Sequence, residues 1–153
     1  IKTILVDNPQ LNVRHYFGRS PVILVIDKYA QLSGNENLFS NSKILYFTDE
    51  NSKVSRKIEG NSAVQTVPLK DSYDVHEFLN RLNHLGIQSM LIEGGAVLLQ
   101  KFIDLELWNL CTRYTASNKI SDGINSPLLK SSILDHTFQL SKDQVDNFCS
   151  KVK

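Results

Sequence analysis

Cysteine is scarce: Cys111 and Cys149 are the only two in 153 residues, far apart and without C-x-x-C spacing. A disulfide framework and a structural zinc site are therefore excluded as readings, and two ordinary thiols in a reducing, cytoplasmic compartment are expected. An excess of charge of one sign is lacking too. Seventeen basic residues against sixteen acidic leave a net charge of +1, which excludes nucleic-acid binding driven by bulk charge. No apolar run approaches the ~20 residues of a membrane span, so no membrane partner is expected, and Ile1, Lys2 and Thr3 do not begin the apolar stretch of a secretory signal. Methionine occurs once, as Met90, so Ile1 is not expected to be a translation start and an N-terminally incomplete chain is expected. The G-x-G-x-x-G and Walker fingerprints are missing, as are the H-x-E with P-C-x-x-C pair of zinc deaminases and the nucleophile elbow. His15, Arg19, His76 and His84 form no catalytic or metal-ligating spacing, and no metal is expected.

What is present is the composition of an ordinary single domain, 41% hydrophobic and 22% charged, long enough for one sizeable core. Residues 21–27 and 43–48 are short apolar runs rich in Val, Ile, Leu and aromatics, and 64–67, closed by Pro68, is a third, brief one carried by Val64 and Val67. They read as strands buried on both faces, with helices covering the sheet. Over 74–85 the residues Val75, Phe78, Leu79, Leu82 and Leu85 make one apolar helical stripe, with Ser72 or Asp74 as cap and Gly86 just past the end. A fourth strand is predicted over 87–92, a second helix over 96–103 and a fifth strand over 107–115. The order β, β, β, α, β, α, β indicates a layered α/β domain. Residues 116–127 read as a loop. Near the end, 138–140 reads as a strand; Val145, Phe148, Cys149 and Val152 also fit helical spacing, and an antiparallel strand pair is the preferred reading.

The chemistry concentrates in two places. Glu93, Gly94 and Gly95 lie between a predicted strand and a predicted helix. Two residues without Cβ let a ligand approach the backbone, and the helix N-terminus beyond them favours phosphate; the same pair also suits a plain tight turn. Glu93 stands where open α/β sheets bind ligands, or else complements the helix dipole. Near the start, Asp7, Asn8 and Pro9 break regular structure, and Leu11 and Arg14 follow in polar sequence. The Arg14 guanidinium has the fork geometry that grips phosphate, though a single Arg is also an ordinary solvated group.

Taken in order, Thr3-x-x-x-Asp7-Asn8-Pro9-x-Leu11-x-x-Arg14, then Pro21-Val22-x-x-Val25-Ile26-Asp27, then Gly86-Ile87-x-Ser89-x-Leu91-Ile92-Glu93-Gly94-Gly95-Ala96 resemble the reductase domain of the bifunctional riboflavin-biosynthesis deaminase/reductase. The resemblance extends to Phe102, Ile103 and Leu107, more loosely to Asp122, Gly123, Ile124, Pro127 and Leu128, and weakens after Leu134. It implies a dihydrofolate-reductase-like α/β fold with a mixed, mostly parallel central sheet flanked by helices. NADPH would be the cofactor, with hydride delivered to the ribose C1′ of 5-amino-6-(5-phosphoribosylamino)uracil. By the same resemblance Thr3, Asp7, Gly94, Gly95, Ala96 and Val97 would hold the dinucleotide. Leu11, Arg14 and Glu93 would line the substrate side, with Arg14 toward the ribose 5′-phosphate. The family has Ser or Thr where this chain has Lys28, which would answer the NADPH 2′-phosphate or be solvated. The family's first strand, the helix after it and the fused deaminase domain would all precede Thr3 and are not in the sequence; a homodimer is also implied. The alternatives are a non-catalytic or truncated nucleotide-binding module of this fold, and a related pyrimidinone or folate reductase.

Overall fold

The computed structural model describes residues 1–15, 17–40, 43–71, 74–118 and 120–151. Its chain forms two compact units, residues 1–89 and 90–153. The elements of the first are α1 (Lys2–Asp7), β1 (Ile23–Ile26), β2 (Ile44–Asp49), α2 (Arg56–Glu59), β3 (Val64–Leu69) and α3 (Val75–His84). The second holds α4 (Ala96–Asp104), β4 (Leu110–Thr115), β5 (Ser132–Leu140) and β6 (Asp143–Ser150). Among the described residues no helix is long and apolar enough to cross a membrane.

In the first unit β1, β2 and β3 form a parallel sheet in that order, with Ile23 beside Ile44 and Ile44 beside Val64. A central strand covered on both faces has no polar side to show, and Ile44, Leu45, Tyr46, Phe47 and Thr48 are all buried. On one face Tyr46 and Ile44 join Ile23, Val25, Leu32, Leu38, Phe39 and Ile58 in a core that Ile1 and, from α1, Ile4 also touch. Elsewhere Phe47 meets Phe78 of α3 edge to face, with ring centroids 4.8 Å apart. β3 continues through Pro68 to Leu69, beyond the predicted stop, as proline allows in a strand with one neighbour.

Helix α3 bears out most of the stripe: Val75, Phe78 and Leu82 are buried and Leu79 is half-buried, but Leu85, just past the helix, is exposed. The Asp74 carboxylate accepts from the His76 and Glu77 N–H groups. Ser72, the other candidate cap, lies outside the described residues. Gly86 (φ 76°) closes the helix, its N–H donating to Asn83 and that of Ile87 to Leu82. Such a left-handed closing residue costs glycine nothing.

Two expectations are corrected. Residues 87–92 are not a strand: they belong to neither sheet, and Leu91 is 83% exposed. Their apolar pattern supplies strand propensity, but a strand exists only through hydrogen bonds to a neighbour, which the pattern does not provide. The fifth strand starts at Leu110, not 107, because Leu107 N–H is committed to Phe102 C=O and Glu106 takes φ 56° in closing α4. At the start, Lys2–Asp7 is a helix where no helix was predicted; it ends at Asn8 (φ 44°), within the predicted break.

The second unit bears out the terminal strand pair and rules out the helical spacing over its described part. β4, β6 and β5 form an antiparallel sheet in that order, with a bulge between Leu134 and His136. Beside the buried Val145 lies Asp146, 2% exposed. It accepts from Arg113 at 2.7 Å, Thr137 at 2.8 Å and Gln144 at 2.8 Å. The Arg113 hydrogen bond first, then those of Gln144 and Thr137, hold its carboxyl below the usual range. Residues 116–127 carry no helix or strand among those described, as expected.

Phe47→Ala is expected to lower unfolding free energy by roughly 3–5 kcal/mol in a urea titration, the range for a fully buried aromatic. A depressed folded-state carboxyl contributes stability above its unfolded pKa of about 3.9 and loses it as pH falls through the folded value. Asp146→Asn is therefore expected to melt at lower temperature at pH 7 and to lose less stability than the parent between about pH 5 and pH 3.

Candidate functional site

Thr3 and Asp7 stand four residues apart on α1, hence on one helical face, and both are exposed. The segment beyond them is tied down at Asn8, whose side-chain oxygen accepts from Asn37 N–H at 2.7 Å and whose carbonyl accepts from the Asn37 amide at 3.1 Å. Leu11 takes a left-handed turn (φ 52°) and is 38% exposed. Arg14 is exposed, and its Nε donates to Asn12 Oδ1 at 2.9 Å. Asn12 in turn donates to Gln10 at 3.4 Å. The guanidinium is thus held through Nε by Asn12.

The carboxyl ends of the parallel strands carry a second set of charges. Asp27, 1% exposed, accepts at Oδ2 from the Tyr46 hydroxyl at 2.6 Å and from Leu32 N–H at 2.9 Å, while its Oδ1 has no hydrogen-bond partner among the described residues. Burial first, then the hydrogen bond and charge of Asp27, push the Tyr46 phenol well above its ordinary pKa. Lys28 emerges next, its Nζ 3.3 Å from Asp71 Oδ1 and 3.7 Å from Asp49 Oδ2. Desolvation pulls its ammonium down, but Asp71, Asp49 and Tyr29 outweigh it and hold the group above the usual lysine range. The Lys28 carbonyl is held as well, accepting from Ser52 Oγ at 2.7 Å and from Thr48 Oγ1 at 3.3 Å. Lys28 is therefore neither simply solvated nor unengaged, and the two carboxylates that hold it were not singled out from the sequence. Part of their signal was present: Asp49 follows the apolar run 43–48 directly, whereas Asp71 lies beyond Pro68, Leu69 and Lys70, and only the parallel order brings it level with the end of β1.

In the second unit Glu93 is exposed and precedes the glycine pair. The two glycines are there for different reasons. A Cβ on Gly94 would lie 2.6 Å from Leu98 Cδ2 and 3.2 Å from Leu98 Cβ, so the first turn of α4 packs onto that backbone. A Cβ on Gly95 would meet nothing within 4 Å. Gly95 is the N-cap, with no side chain capping the helix, and Val97 is 87% exposed while Ala96 is half-buried. The first N–H groups of α4 have no carbonyl within the helix to receive them. Open space, no capping side chain and unspent N–H groups fit an anionic diphosphate. Thr3, Asp7, Leu11, Arg14 and Lys28 thus belong to the first unit, and Glu93, Gly94, Gly95, Ala96 and Val97 to the second. Two surface depressions along β3 and α3 are lined by none of these residues.

A parallel sheet with flanking helices, followed by an antiparallel three-stranded sheet, defines a dihydrofolate-reductase-like α/β domain. The chain matches the RibD C-terminal domain over residues 1–117 and belongs to that family. It is similar in structure to a diaminohydroxyphosphoribosylaminopyrimidine deaminase/5-amino-6-(5-phosphoribosylamino)uracil reductase from Thermotoga maritima, with TM-score 0.81 and 22% identity over 97% of this chain and 43% of that one. Acinetobacter baumannii RibD is similar in two crystal forms, with TM-scores 0.75 and 0.74 and 18% identity over 97% and 96% of this chain and 44% of those. The chain therefore spans less than half the length of these solved relatives. No curated protein matches it.

The two glycines are expected to part on substitution. Gly94→Ala should cost roughly 1–3 kcal/mol, as overpacking does, while Gly95→Ala should leave the melting temperature within about 2 °C of the parent in a thermal scan.

Proposed function

We propose that the chain serves as a riboflavin-pathway reductase, reducing the ribosyl group of 5-amino-6-(5-phosphoribosylamino)uracil to the ribitylamino product. The observation that carries this reading is the family match over residues 1–117, and the glycine-opened start of α4 supports it independently. A reduced nicotinamide dinucleotide, NADPH by the family resemblance, supplies the hydride when bound. The protein's part is binding, orientation and electrostatics. The N–H groups of Ala96 and Val97 would neutralise diphosphate charge, and Gly95 would keep the approach to them clear. Thr3 and Asp7 offer a hydroxyl and a carboxylate to the nicotinamide nucleotide from one face of α1. In the first unit Arg14, held through Nε by Asn12, would grip the ribose 5′-phosphate, and Leu11 would offer an apolar contact to the substrate. In the second unit Glu93 would offer a carboxylate to the substrate.

A deaminase domain in the same polypeptide, as in the Thermotoga maritima protein, a homodimer and a cytoplasmic setting complete this reading.

Dinucleotide oxidation followed by absorbance in the presence of the phosphoribosylamino-uracil is the test. Arg14→Ala should raise KM for that substrate roughly 10- to 100-fold, since hydrogen bonds to a charged group are worth about 1.5–3 kcal/mol. Dinucleotide binding with no oxidation on any pyrimidine would instead mark a non-catalytic module of the same fold.

A further inference from the structure

The ends of the three parallel strands hold a charge arrangement that the reductase reading does not use. Lys28 follows β1, Asp49 ends β2 and Asp71 lies just beyond β3, and the ammonium sits between the two carboxylates at 3.3 Å and 3.7 Å. Ligands of open α/β sheets bind outside the carboxyl ends of the strands. The three side chains together carry one net negative charge. Asp71 remains 58% exposed, within reach of an incoming group. Next to them Tyr29 is 66% exposed with its ring centroid 5.8 Å from the Lys28 ammonium, an aromatic face open to a purine.

We propose that the Lys28–Asp49–Asp71 cluster selects the form of the dinucleotide, excluding the 2′-phosphate and accepting the unmodified adenosine ribose, so that NADH binds at least as tightly as NADPH. This assignment rests on the reductase reading and departs from the NADPH that the family resemblance implies. A ribose diol presents two hydroxyl donors, and carboxylates are the acceptors that suit them. A 2′-phosphate brings about −1.5 to −2 charges at neutral pH to a place already negative. The cation that would receive it is committed to two anions, and to use it the phosphate would have to displace both. The backbone gives Lys28 no room to swing elsewhere as a unit, since its carbonyl is held by Ser52 and Thr48.

Calorimetric titration of the chain with 5′-AMP and with 2′,5′-ADP isolates this part of the molecule from turnover. The parent should bind 5′-AMP at least as tightly as 2′,5′-ADP, and NADH at least as tightly as NADPH. Asp49→Asn with Asp71→Asn removes the two carboxylate charges beside the lysine and should shift the ratio toward 2′,5′-ADP by about tenfold or more, a shift that a further Lys28→Ser change cancels. Asp71→Asn alone, at an exposed side chain, gives the same direction of shift should the double variant fail to fold. A parent that prefers 2′,5′-ADP, or variants whose ratio equals the parent's, would overturn the proposal while leaving the reductase reading intact. A chain that binds neither dinucleotide sinks both.

Discussion

The enclosure of β2 is the constraint on which the first unit depends. With a parallel neighbour along each edge and apolar cover on both faces, β2 admits no polar alternation, and its run from Ile44 to Thr48 is buried throughout. The parallel arrangement has a chemical consequence. Strands that run the same way finish at the same end, so Lys28, Asp49 and Asp71, far apart in sequence, become neighbours there. The buried Asp27–Tyr46 hydrogen bond fastens two of those strands side by side at that end, with Leu32 N–H drawing the following loop onto the same carboxylate.

How much of this was legible in the sequence follows from how local each determinant is. The stripe, cap and closing glycine of α3 are all settled within one turn or a few residues, and the structure agrees with them closely. β1 and β2 were legible because continuous apolar runs report burial. β3 was legible as a strand but not as one buried on both faces, since Gln65, Thr66 and Pro68 are exposed and only Val67 and Leu69 are buried. Residues 87–92 carried the same kind of signal and are no strand, because pairing depends on a distant partner that no local pattern encodes. The shortened start of β4 is a similar case: Leu107 reads as apolar strand, but its N–H is spent closing the preceding helix.

For the candidate site the residue types were legible and their partnerships were not. Gly94 and Gly95 look equivalent as letters, yet one answers to Leu98 and the other to empty space. Lys28 stood out as a departure from the family pattern, but only the register of the sheet discloses the two carboxylates that claim it. Arg14 is the opposite case, since its orienting partner Asn12 lies two residues away and the contact is local.

The loop after β1 is secured by its main chain, through the Lys28 carbonyl and the hydroxyls of Ser52 and Thr48, independently of what the side chain does. Anchorage and electrostatic character are thus written in separate atoms of one residue. A hydroxyl could replace the cation at this position without disturbing the loop that displays it, so that the charge offered to a ligand could change while the architecture beneath it stays constant.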